Sequence, residues 1–199
     1  VAEAEVARVA MWDRLKDQAK NLQQAQSARA GSGRGSAGPG LGGAQGRGAA
    51  TGGSKAQLIG LLKSQLASAR TELKSGAYRD ASMAMCALVA AADGSVEPAE
   101  RQRVEELIVS NEVLQNFPAD QLRQRFNQHV DRILADFATG RAEALREIAK
   151  AGKKPMEARA VIQTGIVVAG ADGHFESSEQ AAVRDACAAL GVSPAEFGI

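Results

Sequence analysis

The sequence predicts an all-α protein: a compact bundle of about seven helices, containing an internal helix-loop-helix duplication and preceded by a flexible Gly-rich tether. Three observations carry that expectation. The 199 residues are 45% hydrophobic but only 4% aromatic, with Ala-rich runs and few β-branched alternations, as in helices that pack closely through small side chains. Residues Ala30 to Ser54 hold eleven of the 21 glycines, too little apolar surface to offset roughly 1–2 kcal/mol of backbone entropy per residue. From Lys55 onward, apolar residues recur at helical spacings of three and four. The expected domains are a basic amphipathic segment (1–29), a disordered linker (30–54) and a helical domain (55–199).

In the first segment Trp12, Leu15, Ala19 and Leu22 form an apolar stripe on a short helix that also bears Arg14, Lys16 and Lys20. Met11 offers a shorter start, which would leave Val1 to Ala10 as an upstream extension. After the tether, Leu58, Leu62, Leu66, Ala69 and Leu73 mark one face of a helix expected to end near Gly76. Arg79 to Ala92 is apolar on nearly every side, which places it in the middle of the bundle. Pro98 suits the first turn of a helix running through Val104, Leu107 and Ile108. Leu122, Phe126, Val130, Ile133 and Phe137 predict an amphipathic helix stopped near Gly140, and Leu145 and Ile148 a short one stopped near Gly152. Pro155 opens a second buried helix through Val161, Ile162 and Val168, and Ser178 to Leu190 closes against Gly191.

The net charge of +1 conceals an asymmetry. Residues 1–71 hold ten Lys or Arg against four acids, and residues 72–199 fourteen against nineteen. A front of this sign reads either as a solvated linker with scattered Arg or as a segment drawn to anionic lipid, to nucleic acid or to the acidic body itself, and weak contact of residues 11–24 with an anionic membrane is one expected form. Nucleic acid is not expected as a partner. Cys86 and Cys187 sit in apolar helical patterns without CxxC spacing, so the expectation is buried, reduced thiols. No run of 18 apolar residues occurs, and the first twenty residues interleave acids and bases where a signal peptide needs an apolar block. A cytoplasmic protein is expected.

The most informative pattern is a repeat at a constant offset of 79 residues: "VAAADGSVEPAE" (89–100) and "VAGADGHFESSE" (168–179). Val104 and Val183 also correspond, and Ile108 and Cys187, so a buried helix, a loop and an amphipathic helix all recur. Each loop reproduces the second half of a calcium-binding EF-hand: a glycine at the turn, an apolar residue facing the core and a Glu on the exiting helix. The acidic first half is missing, which excludes an ordinary EF-hand. A reduced oxygen site remains, with Asp93, Glu97, Glu100, Asp172, Glu176 and Glu179 as candidate ligands for calcium or magnesium, weak at on the order of 10⁻⁴–10⁻³ M per isolated loop. The same acids suit two other tasks, charge-complementing and capping the free N–H groups at a helix start and acid–base catalysis. His129 reads as a surface or partly packed residue, and His174 has Ser95 as its counterpart, outside the repeated set. No phosphate-binding glycine loop and no nucleophile–base pair stands out.

The run "MCALVAAADGSVEPAE", the middle "VLQNF" and the ending "GIVVAGADGHFESSEQAAVRDACAALGVSPAEFGI" resemble the TerB family of bacterial tellurite-resistance proteins, over about Lys55 to Ile199. The resemblance implies a compact helical domain with an acidic, cation-binding surface carried here by the six acids named above. It further implies a non-enzymatic role in tellurite resistance and stress response, beside membrane-associated and calcium-binding partners, peripheral to the inner face of the membrane. The competing expectations are an interaction adaptor whose acids are structural caps and, third, a metal-dependent hydrolase.

Overall fold

The computed structural model describes residues 50–172 and 175–199. Among them are seven α-helices and no strand: α1 (Ala50–Ala69), α2 (Gly76–Ala90), α3 (Pro98–Ser110), α4 (Ala119–Ala135), α5 (Phe137–Ala149), α6 (Pro155–Ala169) and α7 (Ser177–Leu190). The basic segment and most of the glycine-rich stretch lie outside the described residues. The first helix begins at Ala50, so the boundary expected at Lys55 falls inside it.

The two apolar segments form the centre. Helix α2 packs against α6, α4, α5 and α7, and α6 packs in turn against α1 and α7. Tyr78 and every residue from Ala81 to Val89 are buried, as is the run from Ala160 to Val168. Small residues permit the close approach: a Cβ placed on Gly165 would lie 2.5 Å from Met85 Cε, so α6 presents bare backbone to α2. Two polar groups at this contact are matched to each other. Thr164 Oγ1 donates to the Ala160 carbonyl at 2.8 Å, which leaves the Tyr78 hydroxyl to donate to Thr164 Oγ1 at 3.0 Å. Burial pushes the Tyr78 phenol up to about 12. Both cysteines are free and buried, and burial raises Cys86 to about 12 and Cys187 to about 11.

Two boundaries differ from the sequence expectation. Helix α1 ends at Ala69, and Gly76 starts α2 instead of stopping α1. Ser75 decides this, because its Oγ accepts from Tyr78 N–H at 3.0 Å and caps α2. The chain between them is held by Asn116, whose Nδ2 donates to the Arg70 and Leu73 carbonyls at 2.8 and 3.2 Å. Likewise α4 ends at Ala135, and Phe137 opens α5 instead of completing the α4 stripe. Asp136 makes the break: it closes α4 and caps α5 by accepting from Thr139 N–H at 2.9 Å, a bond that holds its carboxyl below the ordinary value. Gly140 is therefore inside α5, where it lets α5 fold back against α4.

Candidate functional site

The first acidic loop leaves α2 through Ala91, whose N–H donates to the Ala87 carbonyl, and Ala92, whose N–H donates to the Val89 carbonyl, and turns at Gly94 with φ 88°. Only glycine adopts that conformation without strain. Asp93 stiffens the turn: its Oδ1 accepts from Ser95 N–H at 2.9 Å and from Ser95 Oγ at 3.0 Å. Val96 packs against the core and ties the loop down. Glu97 then stands at the N-cap of α3 with no side-chain capping bond, followed by Pro98 at the first helical position. Glu97 and Glu100 are both exposed. Neither carboxylate makes a hydrogen bond or ion pair with the described residues.

The second loop starts alike and ends differently. Gly170 closes α6, its N–H bonded to the Ile166 carbonyl, and its bare Cα faces Ile59 of α1. A 3₁₀ turn, Gly170–Asp172, follows. The Asp172 side chain, Gly173 and His174 lie outside the described residues. At α7, Glu176 N–H donates to Glu179 Oε2 at 2.7 Å, and the pair forms a capping box. Gln180 Nε2 adds a bond to the Phe175 carbonyl at 3.0 Å. The two copies thus use the same acids unequally, for Glu176 and Glu179 cap a helix whereas Glu97 and Glu100 stay open.

Among the described residues no group of three or more His, Cys, Asp or Glu side chains is placed to share a metal ion. Hard carboxylate oxygens are the donors that calcium and magnesium take. What the first loop offers is one or two of them at a time, with water completing any shell. No helix among the described residues is long and apolar enough to cross a membrane.

His129 on α4 is half-buried, and its Nδ1 is buried without a hydrogen-bond partner among the described residues. Burial lowers its pKa, with Arg132 acting in the same direction and Glu147, Asp80 and Glu143 against it. A base held neutral by the fold takes its proton later than in the unfolded chain, so acidification below about 6.5, its ordinary value, favours unfolding. Urea midpoints on either side of pH 6.5 are therefore expected to fall with acidification more steeply for the parent protein than for His129→Gln. Equal slopes would show that the fold does not hold this imidazole neutral.

Two exposed apolar side chains at the α4–α5 break, of which Phe137 meets the first loop at Gly94, were not foreseen as part of a site. Leu134 and Phe137, flanking the α4–α5 break, are 42% and 41% exposed. The signal for them was Asp136 three residues before Thr139, a helix-start pattern that turns Phe137 away from the α4 stripe.

A buried helix, an acidic loop and an amphipathic helix, repeated within one helical bundle, define a class of all-α domain built by duplication. Residues 79–199 match the model of the family described as tellurite resistance protein TerB. The match covers more than half of the chain, which belongs to the TerB family. No curated protein and no solved structure matches it. Helix α1 and the first residues of α2 precede the matched region.

Proposed function

We propose that this TerB-family chain acts by binding and not by catalysis, as a stress-response module of tellurite resistance that takes up a divalent cation weakly and works through membrane-associated partners. The observation that carries the reading is the pair of exposed, unpaired carboxylates, Glu97 and Glu100, on a loop whose backbone is fixed by the Asp93–Ser95 turn. Carboxylates free of protein partners are the ones an ion can take without breaking a bond already made. Asp93, whose Oδ2 lies outside the turn bonds, completes the first set, and Asp172, Glu176 and Glu179 form the second. Calcium and magnesium fit the donor chemistry. The basic segment 11–24, with Trp12 on its apolar stripe, is the proposed point of weak contact with an anionic membrane.

Calorimetric titration of the full chain with calcium, magnesium and manganese tests the cation part. A Kd on the order of 10⁻⁴–10⁻³ M for at least one ion is expected. No heat from any of the three, at protein concentrations suited to that range, would remove the ion from the account.

A second reading has its own support. The Glu176–Glu179 capping box and the Asp93 turn are structural uses of these acids, as in an adaptor whose carboxylates only shape helix starts. Under it, replacing Glu176 and Glu179 weakens the fold equally with and without ions.

A further inference from the structure

Two of the three large hydrophobic side chains that are exposed among the described residues, Leu134 and Phe137, flank the α4–α5 break three positions apart. The first acidic loop reaches that place, since a Cβ on Gly94 would lie 3.8 Å from Phe137 Cδ2. The first turn of α3 is fixed beside it: Arg101 takes its N–H to the Glu97 carbonyl and its guanidinium to Asp131 of α4 at 2.8 Å, one turn before Leu134. The guanidinium groups around the patch already have carboxylate partners. Arg101 pairs with Asp131, Arg132 with Glu143, and Arg141, whose guanidinium stands 5.9 Å from the Phe137 ring centre, with Asp185. Among the described residues the Glu97 and Glu100 carboxylates have no partner. The surface thus combines an apolar anchor point with uncompensated negative charge on a rigid rim.

We propose that Leu134 and Phe137, with Glu97 and Glu100, form a docking surface for a basic amphipathic segment of a partner protein. An apolar or aromatic side chain of the segment covers Phe137 and Leu134, and its Lys or Arg residues reach the two open carboxylates. Charge complementarity selects this occupant: an acidic segment is repelled, and an uncharged one leaves two carboxylates facing an apolar partner. The inference rests on the reading that the chain acts through partners and is independent of the cation.

The test uses the full chain in chelator, so that failure of the cation reading does not affect it. A fluorescein-labelled amphipathic Leu/Lys peptide is the probe, with its Leu/Glu counterpart as control, and anisotropy is the readout. The Leu/Lys peptide is expected to bind, to be released by salt, and to bind about tenfold or more weakly to Phe137→Ser, to Leu134→Ser and to Glu97→Gln with Glu100→Gln. Glu112→Gln, an exposed acid elsewhere, is expected to leave binding unchanged. Absence of binding, equal binding of both peptides, or binding indifferent to these variants would overturn the proposal. So would sedimentation showing self-association that Phe137→Ser abolishes, or binding to phosphatidylglycerol vesicles that the same variant abolishes, for either would assign the patch to a different occupant.

Discussion

Gly140→Ala is expected to destabilise the protein by about 1–3 kcal/mol, the range that overpacking typically costs. The methyl group would stand 2.5 Å from the Arg132 carbonyl oxygen and from Ile133 Cα and N. These are backbone atoms of α4, and no side-chain rotation relieves the contact, so α5 must move away from α4. Helix propensity favours the substitution by up to about 1 kcal/mol but is outweighed. The same change at Gly60 supplies the comparison. Gly60 is exposed inside α1 and a Cβ there meets nothing within 4 Å, so Gly60→Ala is expected to stabilise by about 0.5–1 kcal/mol. Urea midpoints of the two variants should therefore move in opposite directions. A Gly140→Ala midpoint at or above the parent's would mean that α4 and α5 do not cross this closely.

Tyr78→Ala is expected to cost about 3–5 kcal/mol, the range for deleting a fully buried aromatic side chain. Tyr78 is fully buried, tilted against Phe117 with ring centres 6.3 Å apart, and its hydroxyl is bonded to Thr164 across the α2–α6 contact. Tyr78→Phe separates the two contributions. It keeps the ring and removes one hydrogen bond, and since Thr164 retains its bond to Ala160, a cost of about 0.5–1.5 kcal/mol is expected. Equal losses in the two variants would place the stabilisation in the hydroxyl and contradict the packing account.

The parts of the fold legible in the sequence were those set by long apolar runs and by strong end signals. Arg79 to Ala92 and Pro155 to Val168 could only be central helices, Pro98 and Pro155 do open α3 and α6, and Gly191 closes α7 in the left-handed region with φ 67°. The boundaries that shifted were decided by single side-chain bonds. Ser75 and Asp136 each cap a helix that the spacing of apolar residues alone cannot start, because Leu73 and Phe137 continue the preceding stripes past the true ends. The candidate site divides in the same way. The duplication of the acidic loops is a sequence fact, but the bond from Glu176 N–H to Glu179, and the openness of Glu97 and Glu100 in the matching positions, depend on side-chain geometry that identical spacing does not encode. The exposure of Leu134 and Phe137 followed from a helix break and was equally invisible to periodicity.

The claim that the open carboxylates of the first loop receive a cation is tested most directly by thermal melts of the parent protein and of Glu97→Gln with Glu100→Gln, in chelator and with calcium, magnesium or manganese. In chelator the variant is expected to melt at or above the parent, because the two carboxylates hold no partner among the described residues and their mutual repulsion is removed. With ion at one hundred times its Kd the parent is expected to gain about 2.7 kcal/mol by linkage, and the variant to gain nothing. A parent that no ion stabilises, or a variant that gains as much as the parent, would contradict the account.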